Sequence, residues 1–233
     1  GICVSDGRQR TMRSKPFGTV LMALGALLVL AGAGLFGYNR FEDLQAERAI
    51  NALMPELITV IEQAEQQEAP QEDPVDMEEW IPLGTIPAPD NTPGPTAPTP
   101  NQMATTQIQG YDYIGYVSIP ALDLKLPVMA DWSYPKLRVA PCRYSGAVDS
   151  DDFVIMAHNY RIHFGRIGEL VSGDSVTFTD MSGTTTCYEV VALDILNPTA
   201  VADMVAGEYD LTLFTCTYGG KSRVTLRCDR LDA

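Results

Sequence analysis

A cysteine, a histidine and an arginine lie at the ends of three apolar runs, where they are well placed for covalent chemistry. Cys216 ends the run 211–216, Arg223 opens the next run seven residues later, and His158 directly follows the run 153–157. A free thiol titrates at about 8.5 and reacts as the thiolate, so a neighbouring cation makes a cysteine nucleophilic at neutral pH. The set predicts acyl transfer: the cysteine attacks, the histidine donates a proton to the leaving amine, and the arginine holds substrate or stabilises the oxyanion.

The elements that must position these groups are predicted to be two strands of a hairpin. Side chains alternate between the two faces of a strand, so Cys216 lies on the face opposite Leu211 and Leu213, which are expected to face the core. Beyond a glycine-containing turn, the same alternation puts Arg223 and Arg227 on one face. A hairpin would bring Cys216 and Arg223 together. Arg227 has the same parity but lies deeper in its strand, and it is the alternative cation.

The histidine of the set is expected to be His158. It stands at the end of an apolar strand, whereas His163, the other histidine of the chain, reads as an ordinary loop residue that shapes the rim of a cleft. In papain-like hydrolases the cysteine precedes its histidine along the chain. Here the histidine comes first, so that family fits poorly.

These segments resemble the sortases, the cysteine transpeptidases of Gram-positive cell surfaces. Sortases carry a Thr-Leu-x-Thr-Cys strand, an arginine that opens the next strand, and a histidine that follows an apolar strand and a small residue. The matching stretches are 212–216, Arg223 and 157–159, with further similarity at 113–120, expected as the first strand of the domain, and at 164–174. The resemblance covers residues 110–233 and implies a mainly β fold, a closed, mainly antiparallel β-barrel of about eight strands with short helices.

The resemblance also implies a reaction in two steps. Cys216 would cleave the Thr-Gly bond of a sorting signal in a surface protein and form a thioester, with His158 as acid/base partner and Arg223 at the scissile carbonyl. An amine from a cell-wall precursor or a pilin subunit would then resolve the thioester. Thr215 and Asn159 are candidates for substrate binding, Thr215 alternatively for positioning its strand. No cofactor or metal is expected.

Two other functions remain open at this point. A surface cysteine peptidase would hydrolyse the same thioester instead of passing it to an amine. A non-enzymatic adhesin or sensor on a membrane stalk would carry Cys216 as a buried thiol that alkylating reagents do not reach.

Charge excludes one class of partner. The net charge is −14, and 13 of the 30 acidic residues lie between Glu42 and Asp90, while the range from Gly110 onward holds 16 acids against 10 bases. Because phosphate contacts need clustered Lys and Arg, no nucleic-acid partner is expected.

An N-terminal membrane span is predicted at 17–38. These 22 residues carry no charge, and at about 1.5 Å per residue a helix of that length spans the roughly 30 Å hydrocarbon core. Four cations precede it within 1–16, whereas acids and bases mix after it. The positive-inside tendency therefore predicts a single-pass protein of the cell membrane, with 1–16 cytoplasmic and the catalytic domain extracellular. A cleaved signal peptide is the alternative.

The segments between the span and the domain differ in composition. Residues 39–69 have apolar side chains at rough helical spacing, with Pro55 as an expected break or new start, and predict a membrane-proximal helical stalk. This stalk is read first as a partly ordered spacer, and alternatively as a helix that packs on the domain or pairs with a second copy. Residues 70–109 form an acidic linker that contains nine of the 16 prolines. Trp80 within it either anchors a lid over the cleft or is a solvated aromatic residue.

The remaining cysteines and acids suggest no metal site, because none has the close ligand spacing of structural zinc sites. Cys187 is expected to be buried in a strand, and Cys142 and Cys228 either form a disulfide or fill the core. An acidic cluster at 149–152 is read as a solvated turn rather than a calcium site. From its position between two strands, the segment 197–204 is the expected substrate-contacting loop.

Overall fold

The structure, a computed structural model of the chain, describes residues 16–68, 103–150, 152–206 and 208–231. The chain divides into two compact units, residues 1–44 and residues 45–233. Several expectations lie outside the described residues: the segment 1–15, Cys3, most of the predicted linker with Trp80, and Asp151 of the acidic cluster.

The first unit contributes the apolar part of helix α1 (Pro16–Glu68). An 18-residue window of this helix has a mean hydropathy of 2.3, and none of the window is buried. Exposed leucine, valine and phenylalanine side chains on this scale are unfavourable in water. Among the described residues it is the one helix that is long and apolar enough to cross a membrane, which is consistent with a single-pass anchor.

In the second unit, eight strands close into a barrel. The described residues contain nine strands: β1 (Thr106–Ile108), β2 (Tyr111–Ile119), β3 (Leu124–Met129), β4 (Cys142–Ser145), β5 (Phe153–Met156), β6 (Ser175–Asp180), β7 (Thr185–Leu196), β8 (Leu211–Cys216) and β9 (Arg223–Arg230). Their order in the sheet is β1-β2-β3-β4-β5-β8-β9-β7-β6, and β6 also pairs with β2, which closes the ring and leaves β1 outside it. The predicted closed barrel of about eight strands is confirmed.

The barrel is mainly antiparallel, as the resemblance implied; the exceptions are β3 with β4 and β5 with β8, which pair in parallel. One detail of the sheet differs from the expectation. The first strand of the sheet is β1, which lies inside the range 70–109 expected to be linker. Three residues of it pair with β2. Such a short strand has too few residues to show an alternating pattern in the sequence.

Closure of the barrel depends on a glycine. Gly115 has φ +141 and lies opposite Asp180 where β2 meets β6, and a Cβ atom there would lie 2.0 Å from the Thr179 carbonyl oxygen. A side chain would therefore collide with the backbone of β6. Glycine allows both the positive φ and the close approach of the two strands.

The second-unit part of α1, from Gln45 to its end, packs against the barrel. Leu53, Leu57 and Ile61 are at most 3% exposed and belong to the same buried apolar cluster as residues of β2, β5 and β8. Of the alternatives for this segment, a spacer or a helix packed on the domain, the structure has the packed helix. The apolar residues recur one turn apart, so one stripe of the helix is covered.

The expected break at Pro55 is wrong, because α1 continues through it. A proline inside a helix removes one backbone hydrogen bond. The Thr59 hydroxyl donates to the Pro55 carbonyl oxygen at 2.8 Å, and the neighbouring Met54 and Leu57 are buried. Burial of this stripe offsets the local cost of the proline.

Short helices complete the barrel. Helix α2 (Tyr134–Leu137) follows β3, and α3 (Val201–Met204) lies between β7 and β8. The two 3-10 helices are Pro120–Leu122 and Ile167–Glu169. Both α2 and α3 contribute walls to the cavity described below.

Candidate active site

The ends of β5 and β8 lie side by side because these strands pair in parallel. Met156 is opposite Phe214, and the Ala157 amide donates to the Phe214 carbonyl oxygen at 3.1 Å. The buried Thr215 hydroxyl donates to the Ala157 carbonyl oxygen at 2.9 Å. This bond joins the two segments one residue before His158 and Cys216. The two reactive side chains therefore leave the sheet at the same edge.

A hairpin brings the arginine to the same place. In the β8–β9 pair Cys216 is directly opposite Arg223, as predicted. The turn between them contains Gly219 and Gly220, with φ of 82° and 70°. Glycine adopts these left-handed values without strain, so the turn can be tight.

His158, Cys216 and Arg223 line one cavity of about 240 Å³. Asn159 and Thr215 line it too. The cavity lies on the face of β8 opposite the main core, where Phe214 packs with Val154 of β5 and Met204 of α3 in a separate apolar cluster. The structure thus brings together all five residues that the sequence analysis named as candidate site residues.

His158 is held by its immediate neighbours. Its Nδ1 lies 3.0 Å from Asn159 Oδ1, and its ring stacks on that of Tyr160 with centroids 4.0 Å apart and planes 13° apart. The ring is half-buried. Contacts at Nδ1 and on one face of the ring therefore orient the imidazole within the cavity.

The two arginines of β9 have different environments. Arg223 is half-buried, lines the cavity, and donates from Nη1 to the carbonyl oxygens of Gly220 at 3.3 Å and Ser222 at 3.2 Å. Arg227 is 3% exposed and is not among the cavity residues. Of the two cations that share a face of the strand, Arg223 is the one beside Cys216.

His163 does not lie at the rim of the cleft as expected; it is completely buried. The loop folds back on itself, because the Phe164 amide donates to the His158 carbonyl oxygen and the Gly165 amide to that of Tyr160. The His163 ring is buried beside the Tyr160 ring, with centroids 5.4 Å apart. Neither ring nitrogen has a hydrogen-bond partner among the described residues.

This burial predicts a pH-dependent stability. Desolvation, with a smaller contribution from nearby His158, lowers the pKa of His163 to about 3 from its ordinary 6.5. As the pH falls below about 6.5, the unfolded chain takes up a proton on His163. In the folded domain the ring stays neutral until the pH approaches 3. Stability that is fully present above pH 6.5 is lost as the pH falls towards 3, by up to about 1.4 kcal/mol per pH unit.

Replacement of this histidine should flatten the profile. We expect the melting temperature of His163→Leu to fall less between pH 7 and pH 5 than that of the unchanged protein. The carboxylates titrate in both proteins, so the difference between the two profiles isolates His163. Parallel profiles would show that the buried ring does not resist protonation.

The other described cysteines differ from Cys216 in position. Cys142 and Cys228 are free, buried thiols, and burial raises the pKa of each to about 12. Cys187 is exposed, which corrects the expectation that it is buried. On β7 its neighbours Tyr188 and Val190 point into the core, and Cys187 has the opposite parity to both.

Aromatic residues that were not expected from the sequence form one wall of the cavity. Ring contacts run from Tyr134 to Trp132, from Trp132 to Tyr144, and from Tyr144 to Phe214, with centroids 5.4 to 6.0 Å apart. These residues come from three separate segments, so no spacing in the sequence relates them. The predicted loop 197–204 does reach the cavity, through Pro198, Val201 and Met204.

Part of the chain is similar to known proteins. Residues 117–231 match the family model described as the sortase domain. No curated protein matches the chain. Among solved structures, the chain is similar to sortase C1 from Streptococcus suis at 28% identity, covering 52% of this chain and 74% of that one, with a TM-score of 0.47. It is also similar to sortase C from Clostridium perfringens SM101, at 24% identity, 52% and 71% coverage and a TM-score of 0.47. A Clostridium perfringens sortase C with the C-terminal cell wall sorting motif matches at 26% identity, 52% and 72% coverage and a TM-score of 0.47.

Proposed function

The domain that contains residues 117–231 belongs to the sortase family, and from this premise we propose that the chain is a membrane-anchored cysteine transpeptidase acting on sorting signals of surface proteins. The observation that carries the proposal is the single cavity shared by His158, Cys216 and Arg223. Each belongs to a residue type that acyl transfer needs, and they come from the ends of three different strands.

In the first step the Cys216 thiolate attacks the carbonyl carbon of the Thr-Gly bond in a sorting signal. A carbon–sulfur bond forms, and the negative charge that develops on the carbonyl oxygen is stabilised by the Arg223 guanidinium. The carbon–nitrogen bond then breaks, and the leaving amine takes a proton from His158. The product is a thioester on Cys216 and a free C-terminal fragment.

In the second step an amine from a cell-wall precursor or a pilin subunit attacks the thioester. The neutral form of His158 takes the proton of the attacking nitrogen as the new amide bond forms, and Cys216 leaves as the thiolate. The aromatic wall and the side chains from loop 197–204 make the cavity largely apolar. We propose that they bind the peptide part of the sorting signal, together with Thr215 and Asn159.

The exposure of Cys216 argues against a non-enzymatic adhesin or sensor. That alternative expects a buried thiol, whereas Cys216 is exposed and lines the cavity. A peptidase that hydrolyses the same thioester would use the same three residues. Only the acceptor distinguishes the two reactions.

The full chain in detergent micelles, incubated with a library of sorting-signal peptides, tests the proposal by mass spectrometry. We expect an acyl adduct on Cys216 with one class of peptide. Addition of a glycine peptide should convert most of the product to the ligated form. A product that stays hydrolysed at every glycine peptide concentration would make the protein a peptidase, and the absence of any adduct would contradict both.

The same proposal includes the orientation of the chain. The apolar part of α1 is consistent with a single membrane anchor, and the cations of 1–16 favour a cytoplasmic N-terminus. The catalytic domain would then face the cell wall, where surface proteins and amine acceptors are available. Protease treatment of intact cells should cut epitopes in 110–233 and spare an N-terminal tag.

A further inference from the structure

The buried Arg227 side chain contacts five residues, and two of them belong to α3, which contributes to one wall of the cavity. Its guanidinium donates to the carbonyl oxygens of Asp203 at 2.6 Å and Met204 at 3.2 Å, both in α3. It also donates to the Thr212 hydroxyl at 3.0 Å and forms an ion pair with Asp194 at 3.3 Å. Its carbon Cζ lies 5.2 Å from the centre of the Tyr209 ring.

These contacts join separate elements. Thr212 belongs to β8, Asp194 to β7, and Tyr209 to the segment that leads from α3 into β8. Arg227 itself is on β9. One side chain therefore ties the loop between β7 and β8 to the strands that carry the proposed catalytic residues.

Besides these bonds, the loop is held by hydrogen bonds within the turn 197–200 and by the buried Met204 side chain. Helix α3 has only four residues and its first residue has no side-chain cap, and a single turn of helix is marginal without tertiary contacts. Val201 of α3 lines the cavity and is 44% exposed. Met204 is buried, lines the cavity, and has its carbonyl oxygen on Arg227.

We propose that Arg227 is a positioning residue that sets the substrate-binding wall formed by α3, acting through the carbonyl oxygens of Asp203 and Met204 rather than on the reacting atoms. A buried guanidinium needs partners for its donors, since an unpaired buried charge is costly. Its fork geometry can serve two carbonyl oxygens, a hydroxyl and a carboxylate at once, which a lysine ammonium cannot. The effect on peptide binding rests on the proposed function, but the effect on α3 does not.

Arg227→Lys tests the proposal in the full chain by hydrogen exchange and kinetics. Loss of the fork should accelerate exchange of the Met204 and Val205 amides by about tenfold, because one such bond contributes about 1.4 kcal/mol to local closing. Exchange in β6 should stay unchanged. KM for the sorting-signal peptide should rise several-fold more than kcat falls, and iodoacetamide should alkylate Cys216 at an unchanged rate.

Two further variants make the result specific. Arg230→Lys alters another arginine of β9, whose guanidinium donates to the Val148 carbonyl oxygen away from α3; we expect it to change neither exchange in α3 nor KM. Asp194→Asn weakens the ion pair between Asp194 and the Arg227 guanidinium. It should accelerate exchange in α3 and raise KM, each by a smaller factor than Arg227→Lys does. If Arg227→Lys does not fold, the Asp194→Asn result decides.

Three results would overturn the inference. Unchanged exchange in α3 for Arg227→Lys, or for Asp194→Asn where that variant decides, would show that the Arg227 side chain does not stabilise α3. A fall in kcat with an unchanged KM would make Arg227 a catalytic cation instead. Equal effects of Arg230→Lys would mean that β9 is merely destabilised. Because hydrogen exchange needs no substrate, failure of this inference is distinguishable from failure of the proposed transpeptidation.

Discussion

Cys216→Ala is expected to abolish the acyl adduct completely while leaving the barrel intact. The side chain is exposed at the end of β8, so removal of its sulfur creates no cavity in the core. Without the sulfur no thioester can form, and neither hydrolysis nor ligation can proceed by this route. Intact-protein mass spectrometry after incubation with a reactive sorting-signal peptide measures the adduct, and the melting temperature checks the fold.

The chain offers a matched control for this variant. Cys187 is also an exposed, free cysteine, but it lies on β7 and outside the cavity. Cys187→Ala should retain the adduct at the full level. An adduct that survives in Cys216→Ala, or that disappears in Cys187→Ala, would remove Cys216 from its proposed role.

His158→Ala should give the second largest effect. A positioned acid/base group contributes about 10² to 10⁴ in rate, so we expect turnover to fall by that factor. The thioester should still accumulate slowly, because the Cys216 sulfur remains, while proton transfer to the leaving amine and from the attacking amine is impaired. Rapid-quench measurements of adduct formation and of product release separate the two steps.

The stability of this variant distinguishes chemistry from packing. His158 is half-buried and stacks on Tyr160 at 4.0 Å, so its loss should lower the melting temperature only slightly. The completely buried His163 provides the comparison: His163→Leu should alter the pH profile of stability, with a much smaller effect on turnover. Equal losses of turnover in the two variants would mean that the loop, rather than the His158 imidazole, is what catalysis requires.

Local patterns in the sequence predicted the parts of the site that depend on strand geometry. The alternation of side chains is a property of the extended backbone, so the face shared by Cys216 and Arg223 could be read directly, and the glycine turn joined them. The same holds for the inward leucines of β8, which are completely buried. The position of His158 at a strand end was visible from the apolar run before it.

Residues with equal local patterns were not separable in this way. Arg223 and Arg227 have the same parity on β9. Only the packing of α3 and Tyr209 against Arg227 buries its guanidinium and gives it hydrogen-bond partners. His163 was misplaced because a loop residue becomes internal when the loop folds back on itself. Cys187 was expected to be buried but is exposed. Only one face of β7 points into the core of the barrel, and the pairing of β7 with its neighbouring strands decides which face that is.

The sequence by itself determined the chemistry available to this protein: a thiol, an imidazole and a guanidinium at strand ends, on a chain with one uncharged 22-residue run. These features depend on residue types and on spacing along a few neighbouring positions. The tertiary structure decided which groups meet. Thr215 and Ala157 are 58 residues apart in the chain and are joined by one hydrogen bond, because β5 and β8 pair in parallel across an intervening excursion through β6 and β7. Such pairing reflects the closure of the whole barrel around its core, and no local segment encodes it.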